Sequence, residues 1–235
     1  MNTKEQLAEA RVASAFLEVV DVFSDAIDGD RYLTVLLQAA EVAHVNDGAL
    51  VIDDGSGTLH VAVASGDSVL ALQRNGSALR RSSLAACLSH GIPVTEEFAP
   101  GDVLFEPYVG EAIRQGFRFE YLFPLRYRDR VMGALVLLDR RDVRLEPARA
   151  EMTMSMATVA GTMMQYAHNA SIAATLVSQL QTALDSRVLI EQAKGVLAER
   201  NGHDMDSAFR VLRTKARTER RNVVDVAREI IGQRR

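Results

Sequence analysis

The segment ALDSRVLIEQAKGVLAER at residues 183–200 predicts an amphipathic helix that ends near Asn201 and Gly202. Two more helices should follow, because Asp204 and Asn222 are each suited to cap a helix N-terminus. Apolar residues recur every three or four positions in all three helices, so they should pack into one bundle. The predicted core side chains are Leu189, Ala193, Val196 and Leu197 of the first helix, Met205, Ala208, Phe209, Leu212 and Ala216 of the second, and Val223, Val226, Ala227, Ile230 and Ile231 of the third.

The charge of the chain is divided between its two parts. All 235 residues together carry −4, but residues 185–235 hold 12 Lys and Arg against 8 Asp and Glu, a net +4, which leaves −8 for residues 1–184. The basic end favours an anionic partner, since phosphates are bound chiefly by Lys and Arg, although a solvated surface has the same pattern and RNA and DNA fit it equally. Its cations at helical spacing are Arg187 and Lys194 on the first helix and Arg210, Arg213, Arg217, Arg220 and Arg221 on the second, with Lys215 beside them.

The same end of the chain resembles the ANTAR domain. The resemblance rests on the EQAKG run at 191–195, the AFRVLR block at 208–213, and their spacing from NVVDVA at 222–227. It implies a module that binds tandem RNA hairpins in nascent leader transcripts and prevents formation of an adjacent terminator, and unstacked hairpin-loop bases suit a basic helical surface. The family pattern implies RNA contacts at Ala193, Lys194, Gly195, Arg213 and Ala216, and charge adds Arg187, Arg210, Lys215 and Arg217 as candidate phosphate contacts. For the two alanines, helix packing is an equal alternative.

A long helix is predicted ahead of this module. From Met152 to Leu184 apolar residues alternate at spacings of four and three, which is the heptad pattern of a coiled coil. We expect the methionine-rich first half to pack on its own domain. The second half has mostly polar neighbours, so its narrow apolar seam should pair with the same helix of a second chain in a parallel homodimer. The predicted dimerisation residues are Tyr166, Ala170, Ala173, Val177, Leu180 and Leu184.

The first part of the chain predicts a sheet flanked by helices. Two helical patterns, from Leu7 to Ile27 and from Tyr32 to about His44, are separated by a break at residues 28–30. Two hairpins follow, and the last arm of the second is apolar enough to be a central strand. The predicted strands are residues 49–52, 59–63, 119–125 and 131–138, with a short helix at 83–89.

This order of elements resembles the GAF domain, which implies a sensor. The residues identify no ligand for it: the cyclic-nucleotide signature of the family is not evident, and Cys87 lacks the neighbouring histidine expected for covalent bilin attachment. Haem bound through His44, His60 or His90 stays open, although each is more typical of a surface or core histidine. We therefore predict no cofactor, and the small molecule that such a domain would bind is not identified.

Several other classes of protein are disfavoured. A single cysteine cannot form an internal disulfide, and no Cys or His cluster has the spacing of a zinc site. No apolar run approaches the roughly 18 residues that span a bilayer, and no secretory signal begins the chain, so we expect a cytoplasmic protein without membrane contact. No nucleophile elbow, phosphate loop or metalloprotease motif occurs, and we expect no enzymatic activity.

Together these patterns predict an α+β fold in three parts. A GAF-like antiparallel sheet flanked by helices occupies residues 1–164, a coiled-coil linker helix 165–184, and an ANTAR-like three-helix module 185–235. The predicted function is that of a signal-responsive transcription antiterminator that binds RNA as a homodimer. Two alternatives stay open: a DNA-binding regulator with a helix-turn-helix end, and a non-catalytic ligand-sensing or scaffold protein whose helical end binds another protein.

Overall fold

The computed structural model describes residues 3–22, 29–53, 57–74, 82–99, 107–142, 144–202 and 204–232. The chain forms two compact units, residues 1–171 and residues 172–235. In chain order the elements are α1 (Thr3–Val22), α2 (Gly29–Ala43), β1 (Asp47–Asp53), β2 (Leu59–Ala64), α3 (Asp67–Arg74), α4 (Ser82–His90), β3 (Val94–Glu97), α5 (Pro107–Arg114), β4 (Phe119–Tyr127), β5 (Arg130–Asp139), α6 (Pro147–Asn201), α7 (Met205–Glu219) and α8 (Val223–Gly232).

The first unit is built on a five-stranded antiparallel sheet in the order β2-β1-β5-β4-β3. Both predicted hairpins are confirmed, since β1 pairs with β2 and β4 pairs with β5. Arg128 takes a positive φ of 54° in the tight turn of the second hairpin, where such a conformation matches the twist of the strands. Strand β5 is central, as its apolar sequence predicted, and the α+β fold class is confirmed.

Helices cover both faces of this sheet. On one face Leu50 and Leu135 lie in a core that includes Leu36 of α2 and Met156 and Ala160 of α6. This confirms that the methionine-rich start of α6 packs on its own domain. Helices α3, α4 and α5 cover the opposite face, where the buried side chains include Leu72, Leu84, Val109, Leu122 and Val136.

Helix α6 lies directly against the sheet at Gly161. A Cβ atom at this position would lie 2.6 Å from the backbone nitrogen and 2.7 Å from the backbone oxygen of Arg126 in β4. No side chain fits into that space, because backbone atoms cannot move aside as a flexible side chain can. The glycine therefore lets the start of α6 pack directly on β4.

A buried polar cluster lies among the helices α3, α4 and α5 and strand β4. The Tyr108 hydroxyl donates a hydrogen bond to Glu120 Oε1 at 2.5 Å and accepts one from Gln73 Nε2 at 2.8 Å. Ser83 Oγ donates to Glu120 Oε2 at 3.4 Å. All four side chains are buried in an otherwise apolar core, so each hydrogen bond offsets a desolvation penalty.

The structure corrects several expected boundaries. Gly29 and Asp30, predicted to break the first helical pattern, belong to the first turn of α2, and Phe23 and Ile27 lie outside the described residues. The sequence patterns also missed α3, β3 and α5. Helices α3 and α5 have only eight residues each, too few to recognise against irregular neighbours, and β3 has four residues, two of them glutamates.

None of the described helices has the length and apolar character needed to cross a membrane. Within the same part of the chain, no three His, Cys, Asp or Glu side chains gather in a group that could hold a metal ion.

Candidate nucleic-acid interface

The end of α6 packs with α7 and α8 around a small apolar core. Most of the predicted core side chains are buried or half-buried there, including Ala193, Leu212 and Val226. Two predictions were wrong in detail: Met205 is 43% exposed at the start of α7, and Ile190 rather than Leu189 packs against the core. The three-helix bundle itself is as predicted.

The predicted caps hold the ends of these helices. The Asp204 side chain accepts a hydrogen bond from the Ser207 backbone N–H at 2.7 Å, and this bond is the main cause that lowers the pKa of Asp204. The Asn222 side chain accepts from the Val224 N–H at 3.0 Å at the start of α8. At the end of α7, Arg220 takes the left-handed conformation, with φ 53°.

Two cations from different helices meet at the half-buried ring of Phe209. Lys194 Nζ of α6 lies 5.6 Å from the ring centroid, and the Arg213 guanidinium carbon of α7 lies 5.8 Å from it. Both distances are within the range of a cation–π contact. Lys194 also donates to both carboxylate oxygens of Glu191, at 2.9 and 2.8 Å, and its side chain is only 14% exposed. The structure therefore brings together Lys194 and Arg213, which the sequence placed on separate helices.

Three arginines continue this surface along α7. Arg210, Arg213 and Arg217 are exposed and lie three and four residues apart, so their side chains share one side of the helix. Arg210 Nη2 donates to Ser207 Oγ at 2.7 Å. Within the described part of the chain, these three arginines and Arg187 form no ion pair with a carboxylate. Their charges are therefore available to an anionic partner.

Lys215 and Arg221, unlike those arginines, form ion pairs with acids. Lys215 Nζ is 3.0 Å from Glu229 Oε1 of α8 and 3.8 Å from Glu219, and Arg221 Nη1 is 2.5 Å from Glu229 Oε2. Hydrogen bonds, first from Arg221 and then from Lys215, lower the pKa of Glu229 to about 2. The prediction that Arg221 belongs to the arginine stripe was therefore wrong, because it lies beyond the end of α7 and pairs with acids.

The small residues singled out by the family pattern differ in exposure. Ala193 and Ala216 are 0% and 2% exposed and pack in the module core. Gly195 is exposed, and a Cβ atom there would meet nothing within 4 Å. The chain itself therefore gives no steric reason for a glycine in the interior of this helix, where glycine is less stable than alanine by about 1 kcal/mol.

The sequence of this module matches a known family over residues 178–231, the match being to the ANTAR domain. Residues 178–231 form an ANTAR domain. No curated protein matches the chain. The ANTAR domain thus contains the surface formed by Lys194, Phe209 and Arg213, which we call the Phe209 surface. It also contains the arginines of α7 and Gly195.

Solved structures resemble the chain in fold. The GAF domain from Acinetobacter phosphoenolpyruvate-protein phosphotransferase is 16% identical, with a TM-score of 0.52, and the match covers 72% of this chain and 97% of that one. The cyanobacteriochrome TePixJ GAF domain is 10% identical, with a TM-score of 0.50, covering 63% and 94%. At such identities the likeness shows the fold alone. The chain thus has a GAF-like fold in its first unit and an ANTAR domain at residues 178–231, and the ANTAR match supports a regulatory role.

Sequence reasoning missed part of the ANTAR surface. Phe209 was expected only in the core, yet its ring contacts the two cations. One exposed face of α7 is a shallow surface that carries the hydroxyl side chains of Ser207, Thr214 and Thr218 beside Arg210 and Lys215. Hydroxyls at spacings of seven and four residues share one side of a helix, so this row could have been found from the sequence.

The predicted dimerisation residues beyond the GAF-like unit are exposed. Val177, Leu180 and Leu184 are 65%, 56% and 58% exposed. The seam does not continue into the ANTAR core. Ala193 follows Leu184 by nine residues, which is two and a half helical turns, so the two side chains lie on opposite sides of α6. In the first unit, Tyr166 is 57% exposed and makes an edge-to-face contact with Tyr127, with ring centroids 6.0 Å apart.

Proposed function

We propose that this protein is a transcription antiterminator whose ANTAR domain binds RNA hairpins in nascent leader transcripts. The observation that carries the proposal is the meeting of Lys194 and Arg213 at Phe209, beside arginines that have no carboxylate partner in the described part of the chain. The arginines can bind phosphates without first breaking an ion pair, whereas Lys194 would bind a phosphate while it also contacts Glu191. The match of residues 178–231 to the ANTAR domain supports RNA as the anion.

The shape of the surface favours a hairpin loop over a duplex. Loop bases are unstacked, so they can lie against an arginine plane or an aromatic ring, whereas the major groove of duplex RNA is too deep and narrow for side chains. The exposed Gly195 would let a base or the sugar–phosphate backbone come close to α6. Ala193 and Ala216 would support RNA binding only by packing the helices that carry the contact residues, since their own side chains are buried.

Two copies of the chain would bind two hairpins. The exposed apolar side chains of α6 within residues 165–184, which overlap the start of the ANTAR domain, would provide a surface for pairing with a second copy. A homodimer then holds two RNA sites at a fixed separation, so it would bind a tandem pair more tightly than a single hairpin. A signal at the GAF-like sensor would act by changing this pairing of α6.

The test compares two arginine variants that remove the same charge. Arg213→Ala removes a cation of the Phe209 surface, and Arg228→Ala removes an exposed arginine of α8 that pairs with Asp225 at 3.1 Å. Fluorescence anisotropy with a two-hairpin leader RNA should show about tenfold or greater weakening for the first variant, because one good phosphate or base contact contributes about 1–3 kcal/mol. The second variant should bind as the wild type does. Equal weakening by both variants would mean that only overall charge matters.

A further inference from the structure

A carboxylate lies beside the cations of the Phe209 surface. The Lys194 ammonium donates hydrogen bonds to both carboxylate oxygens of Glu191, at 2.9 and 2.8 Å, and lies 5.6 Å from the centroid of the Phe209 ring. The Glu191 side chain is 50% exposed, whereas that of Lys194 is only 14% exposed. A negative charge at this position repels phosphates, so phosphate binding by itself gives no reason for it.

The contacts of Lys194 restrain its side chain before any ligand binds. A lysine has a flexible four-carbon stem, and fixing that stem on a ligand weakens binding through the loss of side-chain entropy. Here the ammonium is already held between the Glu191 carboxylate and the Phe209 ring. Glu191 accepts from two of the three N–H donors of the ammonium, so one donor remains for a ligand.

Glu191 also weakens the repulsion between the two cations at Phe209. The guanidinium carbon of Arg213 lies 5.8 Å from the same ring centroid that Lys194 approaches. Like charges held near one ring repel each other, which favours conformers of the flexible lysine that point away from the ring. The Glu191 carboxylate offsets the charge of Lys194, so both cations can stay at the ring in the absence of RNA.

We propose that Glu191 is a positioning residue, which holds Lys194 at the Phe209 ring so that the Phe209 surface is assembled before RNA binds. This role rests on the proposed function, because hairpin RNA is the ligand proposed for the surface. Glu191 acts through Lys194, and its effect is opposite to that of its charge. Removing the acid makes the module more basic and yet weakens its binding to RNA.

Fluorescence anisotropy of the 235-residue chain with a two-hairpin RNA tests the sign of this effect. Glu191→Gln should bind about two- to tenfold more weakly than the wild type, because one lysine side chain must then be immobilised on binding. Glu199→Gln removes the same charge from another exposed position of α6 and should bind at least as tightly as the wild type. In a Lys194→Ala background, Glu191→Gln should no longer weaken binding, because no ammonium is left to position.

Binding of Glu191→Gln as tight as that of the wild type overturns the proposal. The same conclusion follows if Glu199→Gln weakens binding equally, or if Glu191→Gln weakens it to the same extent without Lys194. Circular dichroism at 222 nm should be unchanged in each glutamine variant, because both substituted side chains are exposed.

Proton NMR of the chain without RNA measures the position of Lys194 independently. The methylene protons beside Nζ should carry a ring-current shift from Phe209 in the wild type and lose it in Glu191→Gln. An unchanged shift means that Glu191 does not hold Lys194, and overturns the proposal. If the wild type binds no hairpin RNA, the proposed function fails, and the NMR result still decides whether Glu191 positions Lys194.

Discussion

Replacing Gly195 with alanine should stabilise the protein and weaken its RNA binding. Gly195 lies in the interior of α6, where alanine is favoured over glycine by about 1 kcal/mol. The added methyl group would meet no atom within 4 Å, so no clash offsets this gain. For a small domain, 1 kcal/mol corresponds to a rise in melting temperature of roughly 4–8 °C. Thermal unfolding followed by circular dichroism should show that rise in the ANTAR transition.

The same methyl group should hinder a partner that contacts the helix closely. Overpacking of a tight contact costs about 1–3 kcal/mol, so the affinity for a two-hairpin RNA should fall roughly tenfold or more. Anisotropy titrations of the wild type and Gly195→Ala at one salt concentration measure this. A variant that is more stable and binds RNA as well as the wild type would show that Gly195 lies outside the contact surface.

Gly202→Ala is the matched control. Gly202 ends α6 with φ +63°, and a Cβ atom there also meets nothing within 4 Å. Alanine is strained in this left-handed conformation by about 1–2 kcal/mol, so the control should be destabilised. Its RNA affinity should stay that of the wild type when measured below the unfolding transition. The two glycine variants thus separate stability from binding.

Three further predictions concern charge and burial. Arg213→Ala should reduce the slope of log affinity against log salt by about 0.7–0.9 if the arginine contacts one phosphate, which anisotropy at several salt concentrations measures. Because Arg221 and Lys215 lower the pKa of Glu229 to about 2, the stability that this pair of contacts contributes is present above the ordinary pKa of 4.5 and is lost as the pH falls toward 2. Urea unfolding of Glu229→Gln should therefore differ from that of the wild type at pH 6 and converge with it near pH 2, and a constant difference would contradict this. Tyr108→Phe should destabilise the GAF-like unit by about 1–3 kcal/mol in urea unfolding, because a hydrogen bond to the buried Glu120 is lost, and an unchanged midpoint would count against that role.

The ANTAR bundle could be predicted because its signals are local. Periodic apolar residues place one side of each helix in the core, and Asp204 and Asn222 mark the starts of α7 and α8 with side chains that accept backbone N–H groups. Local patterns could not predict which cations come together. Lys194 and Arg213 meet because α6 and α7 pack together at Phe209. Arg221 forms an ion pair with Glu229 of α8. Both outcomes depend on tertiary packing.

In the GAF-like unit, too, features set by local sequence could be predicted and features set by tertiary packing could not. The two hairpins and the central position of β5 follow from alternating or continuous apolar runs next to turn residues. Strand β3 is held at the sheet edge by pairing with β4, although its own sequence has little strand character. The hydrogen bond between Tyr108 and Glu120 also depends on packing, because the two residues come from α5 and β4. The sequence around either residue does not indicate its partner.

RNA binding by the wild-type chain of 235 residues decides whether the ANTAR domain recognises tandem hairpins. Anisotropy titrations at one fixed salt concentration should compare a two-hairpin leader RNA, a single-hairpin RNA and a duplex DNA of equal length. We expect the tightest binding to the two-hairpin RNA, weaker binding to one hairpin, and only salt-sensitive nonspecific binding to the duplex. Equal affinity for all three would contradict it.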